Sequence, residues 1–252
     1  GLAYMPENSV LIVEDDEIIA RVLISILRDS GFTVHTPVNS GEQVLEQVAA
    51  EKPDVVLMDI DLPGVMSGIE AAAQLFNVFS LPVIFVTGHD EKKVFEKAMG
   101  SMPFGFLIKP VNPSLLYCAI KVSLNLCEKI RQTTEGKKAG LSPSMWVQIS
   151  DSSHPVIIIN SDHAILWMNQ AAEECIEERS SGLFLKDIRQ VLRSLCPDLD
   201  ISPDFFRSAD EGGKGFCAGS GHEERQYIIT ARPIMNMFGI YSGSFITITV
   251  PS

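Results

Sequence analysis

Seven residues among the first 110 carry side chains that could do chemistry together: the acidic run Glu14–Asp15–Asp16, the pair Asp59 and Asp61, Thr87, and Lys109. Carboxylates held close together repel, so such a group either raises a pKa or binds a cation. Oxygen-only donors beside a phosphate-bearing partner favour magnesium, which takes one or two carboxylates and keeps its waters. A carboxylate is also a nucleophile toward phosphorus and would yield an acyl phosphate. The charge that spreads over the phosphoryl oxygens in that transfer calls for a metal, an ammonium and a hydroxyl donor. Asp59 is the nucleophile such a scheme requires; Lys109 and Thr87 are its donors. Taken singly, each has an ordinary reading: a solvated turn for the acidic pair, a cap for the threonine, a loop start for Lys109–Pro110. The scheme holds only if the fold brings them to one place.

The hydrophobic pattern supplies that place. Val10–Val13, Phe32–Thr36, Val55–Met58, Pro82–Val86 and Phe104–Ile108 read as strands, and the continuous apolar runs among them suit strands buried on both faces. Helical spacing follows each: Ile18 to Leu27 ended by Gly31, a helix capped by Ser40, one over Gly68–Val78, one over Glu91–Met99, and a last one opened by Asn112 and Pro113. Five βα units in a row predict an α/β domain with a five-stranded, doubly wound parallel sheet. Ligands on such sheets sit at the carboxyl ends of the strands. Glu14, Asp59, Thr87 and Lys109 each follow a strand, so all four converge on one edge.

From Arg131 the pattern changes. The expected organisation is a first domain over 1–131, a linker over 132–144 containing two glycines and a proline, and a second domain over 145–252. In the second half, Pro155–Ile159 and Ala164–Met168 read as a hairpin across Asn160–Ser161–Asp162. Helical stretches are expected over Gln170–Glu178, Leu185–Leu195 and Pro203–Ser208. Three closing strands are expected over Gly215–Gly219, Gln226–Ile234 and Ser242–Val250, the last with alternating faces.

Composition excludes several classes. The net charge is −12, and residues 1–135 hold 10 basic against 18 acidic side chains while 136–252 hold 10 against 14. Neither half has the basic footprint of a nucleic-acid binder, so no nucleic-acid partner is expected. No apolar run nears the ~20 residues of a membrane span, so no membrane partner is expected either, and the N-terminus lacks the features of a secretory signal. The five scattered cysteines, without a C-x-x-C pair, suit reduced thiols in a cytoplasm.

LIVEDD (11–16), VVLMDIDLPG (55–64), VIFVTG (83–88) and FGFLIKP (104–110) together resemble the receiver domain of bacterial and archaeal response regulators. The resemblance implies that Glu14 and Asp15 form the acidic pair, with Asp15 a direct Mg2+ ligand. It makes Asp59 the phospho-acceptor and second ligand, and the Asp61 backbone carbonyl the third. Thr87 and Lys109 would engage the phosphoryl oxygens, and Phe106 would be the aromatic switch. Asp16, with no role in the family, is expected to cap a helix. Ser67 stands where many relatives carry Asp, and His89 is expected to be a helix-entry residue. The implied partner is a sensor histidine kinase.

PVIIINSDHAILWMNQAAEE (155–174) and the closing strands resemble a PAS domain. That implies an α+β domain with a five-stranded antiparallel sheet, helices across one face, and a ligand that the residues leave unknown. Homodimerisation through receiver or PAS faces is expected. Cys175, Cys196 and Cys217 lack the context of a flavin photosensor. His154, His163 and His222 are the candidate haem ligands, though His163 and His222 read as exposed turn residues; Trp167, Phe184, Phe216, Tyr227 and Phe245 read as core. Two other readings stand beside phosphosignalling. One is an unphosphorylated scaffold acting through PAS dimerisation; the other is a phosphohydrolase, since Asp59–Ile60–Asp61 resembles the D-x-D of haloacid-dehalogenase-type enzymes. That motif normally lies on a first strand and continues into Thr or Val, not on a third strand continuing Leu62–Pro63. The chain stops right after a PAS-like strand, as a piece of a longer sensor would.

Overall fold

The apolar runs Val10–Val13, Val55–Met58 and Val83–Val86 are fully buried in the computed structural model, and they are the centre of a parallel sheet. The structure describes residues 8–88, 96, 98, 103–133, 149, 152–195, 201–207, 213–218, 226–238 and 240–249. Two units divide the chain, Gly1–Glu135 and Gly136–Ser252. Most of the expected linker at 132–144 lies outside the described residues.

The first unit runs β1 (Ser9–Val13), α1 (Glu17–Asp29), β2 (Thr33–Val34), α2 (Gly41–Glu51), β3 (Val55–Met58), α3 (Gly68–Phe79), β4 (Val83–Thr87), β5 (Gly105–Ile108) and α4 (Pro113–Thr133). The five strands are parallel in the order β2-β1-β3-β4-β5. The strand expected over Phe32–Thr36 shrinks to two residues because Pro37 has no amide hydrogen for a ladder. Val38 then rejoins the sheet through a bridge to Val13. Of the helix expected over Glu91–Met99, only Glu96 and Ala98 are described, both helical, and His89 lies outside the described residues.

Caps set the helix starts. Asp16 Oδ1 accepts from the amides of Ile18 and Ile19 at 2.8 and 3.1 Å, so it is the N-cap of α1. Ser67 and Glu70 form a reciprocal capping box on α3. Asn112 Oδ1 accepts from Ser114 and Leu115, and Pro113 costs nothing at a first helical position. The buried face of α4 is Leu116, Ile120, Ser123 and Cys127 at helical spacing. Burying the two aliphatic side chains among them contributes roughly 2 kcal/mol each. Leu115 and Leu126, on the same helix, stay exposed.

The second unit runs β6 (Val156–Asn160), β7 (Ile165–Met168), α5 (Gln170–Ile176), α6 (Ser180–Leu183), α7 (Ile188–Leu195), α8 (Pro203–Arg207), β8 (Gly213–Ala218), β9 (Gln226–Met235) and β10 (Tyr241–Thr249). Its strands pair antiparallel throughout. The order β7-β6-β10-β9-β8 is held by four antiparallel ladders, two of them interrupted by register shifts, at Ile158/Ile159 and Tyr241/Gly243. A register shift leaves one residue unpaired and bends the strand, which a regular period-two pattern does not announce. Along β10, Ile246 and Ile248 are buried while Phe245, Thr247 and Thr249 are half-buried on the other face.

Two further expectations change. His163 is not an exposed turn residue: it takes φ 67°, is buried, and its ring lies 4.9 Å from that of Phe206. Histidine adopts this left-handed backbone more readily than most residues, but residue type does not say which way the ring then points. Trp167, Phe184 and Phe245 are half-buried rather than core, Tyr227 is half-buried and packs against the core, and the aromatic at the centre is Phe206. Among the described residues, no helix is long and apolar enough to cross a membrane.

Candidate functional site

Register brings the polar residues together. Val13 pairs with Met58, and Thr87 with Ile108, so Glu14, Asp59 and Lys109 leave the sheet side by side at its carboxyl edge. The amide of Asp59 donates to Val13 O at 2.9 Å and that of Lys109 to Thr87 O at 2.8 Å, which ties the strand ends crosswise. Lys109 Nζ lies 2.6 Å from Glu14 Oε2 and 2.6 Å from Asp59 Oδ2. Glu14, Asp59 and Thr87 are buried, Asp15 is exposed, and Lys109 is nearly covered. The Lys109–Pro110 peptide is cis.

Burial and crowding shape the charges. Desolvation raises the pKa of Glu14, and the neighbouring Asp59 carboxylate adds to it, against the opposing pull of Lys109. Burial alone would lower the pKa of Lys109, but its hydrogen bonds to Asp59 and Glu14 outweigh that and hold it raised. Lys109 is therefore a fixed positive charge between two buried carboxylates. Ligand atoms of Glu14, Asp15 and Asp59 all lie within 4.8 Å of one another. Three hard oxygen donors at that spacing fit a divalent cation of the Mg2+ kind. A cleft of about 450 Å³ opens beside this group, lined in part by Glu14, Asp15, Arg21, Val38 and Asn39.

Glu14, Asp15, Asp59, Asp61, Thr87 and Lys109 fall at or just beyond strand ends, whereas Phe106 lies within β5. Asp61 is exposed, and its amide donates to Asp59 Oδ1 at 3.1 Å, which places it one turn from the carboxylate. Phe106 is half-buried on β5, edge-on to Phe85 at 6.3 Å. Asp16 serves the helix and not the site. Sequence reasoning missed two contributors. A Cβ at Gly68 would collide with the backbone oxygen of Asp59, so only glycine lets α3 start this close to the acidic group. Glu42, on α2, accepts from the amides of Val65 and Met66 in the loop after Asp59. Its signal was invisible because the contact spans 23 residues. Among the candidate haem ligands, His154 is exposed and His222 lies outside the described residues.

Residues 10–121 match the family model "Response regulator receiver domain". Among curated relatives, the transcriptional regulatory protein PdtaR of Mycobacterium tuberculosis is 30% identical over 133 residues, covering 53% of this chain and 64% of that protein. The sensory transduction protein RegX3 of Mycolicibacterium smegmatis is 38% identical over 119 residues, covering 46% and 50%. The chain thus spans less than two thirds of the length of these relatives. A solved signal receiver domain of a modulated diguanylate cyclase from Desulfovibrio desulfuricans is 33% identical, with TM-score 0.47, covering 49% of this chain and 98% of that one. Receiver domains are signalling modules and not catalytic enzymes. The N-terminal part of this chain is a response regulator receiver domain.

Proposed function

We propose that this protein takes part in two-component signalling by accepting a phosphoryl group on Asp59 from a sensor histidine kinase. The observation that carries the reading is Lys109, held 2.6 Å from Asp59 and from Glu14 at the carboxyl edge of a receiver sheet. In the transfer, an Asp59 carboxylate oxygen attacks phosphorus. An O–P bond forms as the P–N bond to the donor histidine breaks, and the imidazole leaves with a proton. Lys109 neutralises charge on the phosphoryl oxygens, and the Thr87 hydroxyl donates to one of them. Glu14, Asp15 and Asp59, with the Asp61 backbone carbonyl, would hold Mg2+. Its chemistry there is to neutralise the charge of carboxylates and phosphoryl group together. Phe106 is the residue whose reorientation reports the change.

The second unit is, in this reading, a PAS-like sensing or interaction domain that receives the change, in a protein that acts as a homodimer in the cytoplasm. The resemblance of residues 155–174 supports it, together with an antiparallel sheet whose helices α5 to α8 all fall between β7 and β8. The test is hydrogen exchange along the whole chain with beryllofluoride and Mg2+, on wild type and Asp59→Asn. Protection near Asp15, Thr87 and Lys109 in the wild type alone is the expected result. Exchange that also changes beyond residue 145 would establish the relay. Identical exchange in both proteins would remove Asp59 as the acceptor.

A further inference from the structure

The loop from Asp59 to the start of α3 is pinned at three points. At its beginning, the Asp61 amide donates to Asp59 Oδ1 at 3.1 Å. At its end, the Gly68 amide donates to Ile60 O at 3.3 Å. Between them, Glu42 reaches across from the first turn of α2, and one oxygen, Oε1, accepts from both Val65 and Met66, the latter at 2.8 Å. Gly64 makes this reach possible. Its φ of 118° is closed to most residues, and a Cβ there would sit 2.6 Å from Glu42 Oε2. Glu42 is half-buried, and hydrogen bonds led by Met66 hold its carboxyl below the usual range despite the desolvation that opposes them.

We propose that Glu42 is a positioning residue for the Asp59 site, fixing the 61–66 loop so that Asp61 is presented to the bound cation. The inference rests on the reading of Asp59 as a Mg2+-dependent phosphoryl acceptor. Glu42 touches no reacting atom. It acts through the loop backbone, in the way that outer partners orient metal ligands and typically change affinity by about 10–100-fold when removed. A loop freed at the Val65 and Met66 amides keeps the hydrogen bonds at its two ends and the buried Met66 side chain, and the stretch that carries the Asp61 carbonyl is held less tightly.

The test uses the full chain and Mg2+ alone. Calorimetric Mg2+ titrations are made on wild type, Glu42→Ala, Glu42→Gln and Glu42→Asp, alongside hydrogen exchange at the amides of Val65 and Met66. Glu42→Ala is expected to weaken Mg2+ binding about tenfold and to deprotect both amides. Glu42→Gln keeps the accepting oxygen but not the charge, and is expected to stay within about threefold of wild type. That separates positioning from simple loss of negative potential. Glu42→Asp falls short by one methylene and is expected to behave like the alanine variant; it serves if Glu42→Ala does not fold. Deprotected amides with unchanged Mg2+ affinity would overturn the proposal, leaving Glu42 a cap on a loop. Equal loss in the Gln and Ala variants would overturn it too, in favour of charge alone. A wild type that binds Mg2+ but takes no phosphoryl group would instead overturn the Asp59 reading and leave Glu42 standing.

Discussion

In the first unit the buried polar side chains include two carboxylates, Glu14 and Asp59, with Thr87 beside them, whereas the second unit buries Asn160, His163, Asn169, Asn236, Ser242 and Ser244. No Asp or Glu is buried among the second unit's described residues. Its amides are spent on its own backbone. Asn160 Oδ1 accepts from Asp162 and Ala164, and Asn236 Oδ1 from Phe238 and Ile240, each closing a turn. Asn169 goes further. Its oxygen accepts from Val156 and Ala172, and its nitrogen donates to the carbonyls of Ile149, Ser152 and His154. At the receiver edge the charged groups face one another instead, and like charges are kept close at a cost in stability. Polar burial that satisfies the backbone builds a fold; polar burial that leaves charge crowded marks a site.

The largest effect expected of that difference lies in the second unit. Asn169→Ala takes the side-chain partner from the Val156 amide and from the Ser152 and His154 carbonyls and removes the N-cap of α5, at a cost of roughly 3 kcal/mol. Urea unfolding followed by hydrogen exchange, unit by unit, should show the second unit weakened and the first unchanged. A loss in both would break the division of roles. Next comes Lys109→Ala, which strands Glu14 and Asp59 without their cation. Because the Lys109 side chain keeps 16% of its surface exposed, the expected cost is about 2 kcal/mol, less than for a fully enclosed pair. Saturating Mg2+ should restore part of it, since a cation then replaces the ammonium; no restoration would argue against a metal at the acidic group.

A smaller effect comes from pH, and here the two units should move in opposite directions. Burial raises the pKa of Glu14 above its ordinary 4.5, so the folded state holds that proton more tightly than the unfolded one. Its contribution to stability is fullest at low pH and is lost as pH rises from 4.5 through the raised value. Burial lowers the pKa of His163 below 6.5, with Arg189 and Arg207 adding to it and Asp187 and Asp162 opposing. The neutral ring's contribution is present above 6.5 and is lost as pH falls through the depressed value. Between pH 6.5 and 4.5, acidification should therefore favour the first unit through Glu14 and weaken the second through His163. Thermal melts of Glu14→Gln and His163→Phe should each flatten the slope of the unit concerned.

The receiver was legible because its strands are continuous apolar runs and its chemical residues sit directly after them. For Asp59 and Lys109, position on a strand end is also position in the site, so a linear pattern reads a three-dimensional one. Glu42 and Gly68 obey no such rule. One reaches the site across 23 residues, and the other matters through a Cβ it lacks. In the second unit the hairpin followed from two apolar runs flanking a polar turn and the faces of β10 from alternation, but two register shifts and the inward turn of His163 did not. Those depend on backbone angles that neighbouring residue types only weakly constrain. Asn169 carried a signal, a lone amide before a helical stretch, that was compatible with an ordinary cap until its three carbonyl partners came into view.

Phosphoryl transfer to Asp59 is tested most directly by incubating the full chain with acetyl phosphate, with and without Mg2+, and mapping the adduct by mass spectrometry. A single, Mg2+-dependent, hydroxylamine-sensitive phosphoryl group on Asp59, absent from Asp59→Asn, is the predicted result. No adduct on the wild type, or an adduct that survives in Asp59→Asn, would contradict it.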